Sequence, residues 1–166
     1  MTRLFLAAWP SEETLEGVAA IARPTEPGVR WVPPDNWHVT LRFFGEAEVG
    51  KVVRRLEHER LPGAVARLGP TIEQLGARYL VIPVDGVDPL AASVLSATAD
   101  IGQNDRRRFR GHLTIARLTP GAASSVIGNR FEARFEIDEV ALVASDPHPT
   151  GVVYRTVATF ATSATG

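Results

Sequence analysis

Two short segments carry the same arrangement of side chains able to move protons: Trp37-His38-Val39-Thr40-Leu41 and Gly111-His112-Leu113-Thr114-Ile115. In an extended strand a spacing of two places the imidazole and the hydroxyl on one face, and the intervening Val39, Leu41, Leu113 and Ile115 on the other. Each strand thus offers a proton carrier beside a hydrogen-bond donor. Facing each other across a cleft, the two would flank one anion with imidazoles and hold it with hydroxyls. A histidine near pKa 6.5 is neutral or charged around neutral pH, so one ring can accept a proton while its partner gives one. Such a pair suits acid–base transfer across one bound anion, with a base on one side and an acid on the other. Thr40 and Thr114 would hold the anion by their hydroxyls.

The elements that must position these strands follow from the pattern of apolar residues and breakers. Residues 4–9 read as a buried strand and 11–22 as a helix opened by Ser11 with glutamates in its first turn. Pro24, Pro27, Pro33 and Pro34 make an extended connection to a strand over 37–44, ended by Gly45. A helix over 46–61, strands over 64–74 and 79–84, and a helix over 88–101 with Pro89 at its first position come next. The second motif occupies a strand over 111–117. A short helix over 122–128 and two long strands over 131–145 and 152–161 complete the chain. Few helices among many strands, without regular alternation, imply an α+β fold with mainly antiparallel sheets in a single domain, 1–166.

Composition removes other chemistries. The chain has 166 residues, 45% of them hydrophobic, a formal charge of −1 and no cysteine. It is therefore expected to fold as a compact globular unit, and thiol nucleophiles, disulfide scaffolds and cysteine metal sites are excluded. No helical metal-binding pair, serine elbow or phosphate-binding glycine loop occurs, so neither metal nor cofactor is expected. His58 lies among charges on a helix and His148 in a proline-rich turn. The start of the chain has too short an apolar stretch for an export signal, and no run approaches the roughly 18 residues of a membrane span; a cytoplasmic location and no membrane partner are expected. Lys51 is the only lysine, so the other basic residues are arginines, and four of them cluster at Arg106-Arg107-Arg108-Phe109-Arg110. Arginine suits planar, bidentate recognition of phosphate.

The two motifs and their flanks resemble the 2H phosphoesterase superfamily, in particular the RNA 2′,3′-cyclic phosphodiesterases also described as 2′-5′ RNA ligase-like. The similarity runs through Arg3-Leu4-Phe5-Leu6-Ala7, residues 35–46, His112 to Arg117, the segment 140–145, and Gly151 and Tyr154. The chain departs from that family at Arg110-Gly111, where His-Pro is frequent, and at Val81, where an aromatic residue is common; both bear on substrate preference. The resemblance implies a bilobal, pseudo-two-fold fold, each lobe an antiparallel sheet backed by helices, with the site in the groove between them. It also implies metal-independent opening of 2′,3′-cyclic phosphates to 2′-phosphates, His38 as general acid and His112 as general base, and a capacity for reverse 2′-5′ ligation. RNA ends or nucleotides bearing the cyclic phosphate are the expected partners, with a monomer as the working state. Arg42 shares the face of His38 and Thr40 and is expected to reach phosphate. Arg117 falls on the face opposite His112 in an ideal strand and reaches the site only if a twist or bulge turns it. Ser145 and Tyr154 are expected to line the groove, Tyr154 by stacking on a base; Phe5 is expected in the core. Two alternatives stay open: a phosphodiesterase for small nucleotides, such as 2′,5′-oligoadenylate or ADP-ribose cyclic phosphate, and a non-catalytic nucleotide- or RNA-binding module.

Overall fold

The computed structural model describes residues 1–164. Ten strands and three helices alternate irregularly: β1 (Thr2–Ala8), α1 (Glu12–Ala19), β2 (Val29–Trp31), β3 (Val39–Ala47), α2 (Val49–Glu57), β4 (Ala64–Leu68), β5 (Glu73–Leu75), β6 (Tyr79–Asp85), α3 (Asp88–Thr98), β7 (His112–Leu118), β8 (Ala133–Ile137), β9 (Glu139–His148) and β10 (Gly151–Ala161). The strands form one antiparallel sheet in the order β10-β9-β1-β3-β7-β6-β4-β8, with β2 on β7 and β5 on β6. The fold is α+β, as the pattern implies. β3 and β7 pair at Val39 and Leu113 alone, so the sheet divides there into two wings.

The faces of the sheet are unequal. Leu4, Leu6, Val39, Leu80, Ile82, Leu113 and Leu142 point to the larger core, where Val52 and Leu56 of α2 and Leu90 and Val94 of α3 cover them. Phe5, Ala7, Ala141 and Val143 form a second cluster on the other side, with Trp9 and Tyr154 against it. β1 is apolar on both faces because both are covered. Phe5 is buried, as expected, but in this second cluster rather than the main core.

Local differences from the sequence pattern have identifiable causes. Ser11 caps α1 by accepting from the Thr14 amide. β3 does not stop at Gly45; with φ of +68° that glycine lets the strand pass through a bulge and run on to Ala47. Residues 122–128 form turns and not a helix, because the Glu26 carboxylate accepts from the Ser124 hydroxyl and the Ser125 amide, which diverts that segment from helical bonding. The stretch expected as one strand over 131–145 breaks at Asp138. β8 pairs with β4 while β9 pairs with β1 and β10, so the chain changes wings there, and the Asp138 carbonyl is taken by the Thr162 amide.

Candidate active site

The single β3–β7 pair fixes the geometry of the two motifs. With Val39 opposite Leu113 in antiparallel register, His38 faces Thr114 and Thr40 faces His112, all four on the side away from the main core. A two-fold axis through the Val39–Leu113 pair exchanges the motifs.

Each imidazole is oriented by its own strand. Nδ1 of His38 lies 2.7 Å from the Asn36 carbonyl, and Nδ1 of His112 lies 2.7 Å from the Arg110 carbonyl. A carbonyl only accepts, so Nδ1 carries the proton in both rings and Nε2 is left for chemistry. His38 Nε2 sits 2.9 Å from Thr40 Oγ1; in the neutral ring the hydroxyl donates to it, and after protonation the direction reverses. His38 stacks on Phe5 at 4.8 Å and meets the edges of Tyr154 at 5.4 Å and Trp9 at 5.7 Å. This enclosure pushes its pKa down, chiefly because burial penalises the charged ring; the Asn36 carbonyl opposes that, and the His112 charge adds to it. Of this cover only Tyr154 is expected at the groove; Phe5 and Trp9 escaped the sequence reading, although the unbroken apolar run of β1 is the signal that both its faces need partners.

Two matching β-bulges decide which further residues join the site. In β3, Ala7 pairs with Thr40 but Leu6 with Arg42, so Leu41 is the extra residue and the alternation slips by one. Arg42 therefore turns to the core side. It is 6% exposed, lies over Phe44 at 4.8 Å, and donates to the carbonyls of Ile101 (2.6 Å) and Gln103 (3.2 Å) and to Asn104 Oδ1 (3.1 Å). The expectation that Arg42 reaches phosphate is corrected: it fastens a loop. Phe43 takes the site face in its place, paired with Phe5 and lying under the Arg3 guanidinium. In β7, Val81 pairs with Thr114 but Leu80 with Ala116, so Ile115 is extra. That bulge brings Arg117 onto the face of His112, beside Tyr79. Ser145 and Tyr154 pair across β9 and β10, and Tyr154 edges both Phe5 and His38. His58 and His148 stay apart, bonded to the Arg54 carbonyl and the Thr150 hydroxyl.

Gly111 leads into His112 with its backbone against the Val84 carbonyl, where a Cβ would strike that oxygen. Beside His112 opens a cavity of about 470 Å³ whose wall includes Val81, Pro83, Arg108, Phe109 and Arg110. Among the described residues no three His, Asp or Glu side chains converge as a metal-ligand set, and no helix is long and apolar enough to cross a membrane.

Two imidazoles and two hydroxyls on one face define a site for acid–base transfer around an anion. Comparison with known proteins gives that class a family. Residues 8–69 match the family model of LigT-like phosphoesterases. The crystal structure of E. coli LigT complexed with NADP+ is 26% identical, covers 98% of both chains and superposes with a TM-score of 0.80. TT0787 of Thermus thermophilus is 26% identical over 96% of this chain and 97% of that one, with a TM-score of 0.73. Residues 8–69 are thus similar to LigT-like phosphoesterases, and the fold over nearly the whole chain is similar to that of E. coli LigT. A stretch of 109 residues is also 34% identical to the bifunctional protein HldE of Pseudomonas aeruginosa, covering 64% of this chain and 23% of that protein. The chain thus spans about a quarter of the length of these curated relatives.

Proposed function

We propose that this phosphoesterase hydrolyses the terminal 2′,3′-cyclic phosphate of RNA to a 2′-phosphate, without a metal, as a cytoplasmic monomer. One observation carries the reading: two His-x-Thr pairs related by a two-fold axis, each with Nε2 free of its backbone anchor. Structures of E. coli LigT with 3′-AMP and with ATP support a nucleotide-sized ligand for such a site.

In the reaction, water attacks phosphorus as His112 Nε2 takes its proton, and the bond to the 3′ oxygen breaks as His38 Nε2 gives that oxygen a proton. The phosphate stays on the 2′ oxygen. Thr40 and Thr114 donate to the non-bridging oxygens, and Arg117 offsets their charge. Tyr154 and Ser145 bound the ribose and base on the His38 side. The lowered pKa of His38 makes a specific demand on this assignment: the anionic substrate must supply the charge that keeps His38 protonated until it gives its proton to the departing oxygen.

The same observation favours a second reading, in which a neutral His38 is the base and His112 the acid. Leaving-group chemistry separates them. An aryl phosphodiester, whose phenolate departs without a proton, should rescue the variant lacking the acid. Rescue of His38→Ala supports the first assignment; rescue of His112→Ala alone reverses it. The activity itself is tested with RNA ending in a 2′,3′-cyclic phosphate in the presence of chelator. Exclusive 3′-phosphate product, absence of turnover, or activity recovered only on adding a divalent metal would refute the proposal.

A further inference from the structure

We infer that residues 105–110 form a phosphate-binding strap that selects a polynucleotide strand over a mononucleotide. The inference rests on the RNA-end reading and names the substrate's length class. The strap holds four arginines and one acidic residue in a chain whose formal charge is −1. Asp105 is engaged by Arg107, through the Arg107 amide at 2.9 Å and an ion pair at 2.9 Å. Arg106, Arg108 and Arg110 are exposed and form no salt bridge among the described residues.

Both ends of the strap are fastened to the strands that carry the motifs. At its start, Gln103 donates to the Phe44 carbonyl at 2.8 Å, and Arg42 grips the Gln103 carbonyl and Asn104. At its end, the Arg110 carbonyl holds His112 Nδ1, and the Gly111 carbonyl accepts from Val84 at 2.9 Å. Phe109 is half-buried and packs against the core. The arginines are thereby held beside the catalytic face without a large loss of chain entropy on binding. Arg108 and Arg110 line the cavity next to His112, as do Glu73, Asp85 and Asp88. Those carboxylates repel phosphate, so the strand's phosphates keep to the arginines. A mononucleotide whose one phosphate lies between the histidines has nothing left for three arginines; a strand has one phosphate per nucleotide.

The test measures binding and turnover separately. A fluorescein-labelled octanucleotide RNA with a 3′-phosphate is titrated by anisotropy against the wild type and against Arg106→Gln/Arg108→Gln. Three contacts to a single strand predict about 20-fold weaker binding of the wild type between 50 and 200 mM salt, against about 3-fold for the double variant. The double variant should also raise KM for an octanucleotide cyclic phosphate about 10-fold and leave kcat on a mononucleoside cyclic phosphate unchanged. Equal salt dependence in both proteins, or polyglutamate of equal charge binding as tightly as RNA, overturns the inference. Absence of turnover on both cyclic substrates strikes the functional reading instead, while the anisotropy result still decides the strap.

Discussion

The two motif strands share sequence, register and even the position of a bulge, yet their histidines live in different surroundings. His38 is roofed by Phe5, Trp9 and Tyr154, and its Nε2 is engaged by Thr40. Among the described residues His112 has no stacked or edge-on aromatic neighbour, and it stands beside a cavity lined in part by arginines. The same tripeptide therefore yields one ring under an aromatic cover and one beside a cavity, both half-buried. The motif supplies the chemistry, and the neighbouring strands divide the labour. β1 and β10 cover His38, while β6 and the strap surround His112.

The largest effect comes from removing either ring. His38→Ala and His112→Ala should each lower turnover by roughly 10²-fold or more, the scale of a general acid or base. Because the proposed reaction donates and abstracts a proton in one step, the double variant should be little worse than either single one. Losses that multiply in steady-state kinetics would mean that the rings act in separate steps.

Next is the bulge, where the halves differ most in sequence. Arg42 and Ala116 occupy matching places, each one residue past the extra one. In β3 that place holds a buried guanidinium tied to the start of the strap, and in β7 a methyl group. Arg42→Leu leaves the Ile101 and Gln103 carbonyls without their charged donor, so chemical denaturation should show a loss of about 2–3 kcal/mol. Were Arg42 a phosphate ligand instead, KM would rise with stability intact. This residue also marks where the sequence stops being informative. Period-two alternation is enough to put His38 with Thr40 and His112 with Thr114, because each pair lies on the near side of its bulge. Beyond the bulges the phase changes by one residue, which moves Arg42 to the core and Arg117 to the site. A bulge depends on the partner strand, and nothing within residues 37–44 specifies it. Phe5 escaped for a related reason: an apolar strand residue reads as core until the cover on its second face is known. Glu26 likewise unmakes a helix some hundred residues away through a contact that no local pattern contains.

A smaller effect separates the hydroxyls. Thr40→Ala and Thr114→Ala should each reduce turnover on the order of 10- to 10²-fold, as hydrogen bonds to developing charge are lost. Thr40 also holds His38 Nε2, whereas Thr114 has no such duty, so Thr40→Ser should restore most of the rate and Thr40→Val should not. Equal behaviour of Ser and Val at position 40 would show that the hydroxyl is not what the site uses.

The smallest effect is read on a titration curve rather than in a rate. Burial under the aromatic cover lowers the pKa of His38 from its ordinary value of 6.5. The unfolded chain therefore binds a proton there at a higher pH than the folded one does. Between the two values the unfolded state holds more protons, so stability rises with pH across a window just below 6.5, and the penalty is complete once pH falls beneath the folded value. Phe5→Ala opens the stacked face of the ring to water and should move the His38 titration, followed by NMR of the imidazole, up toward 6.5. The stability window should narrow with it. Binding of inorganic phosphate should move the same titration upward in the wild type, with proton uptake measurable in weakly buffered solution, because the anion favours the charged ring. If the His38 titration is unmoved by Phe5→Ala, the aromatic roof is not what distinguishes the rings, and the division of labour must be sought in the strap beside His112.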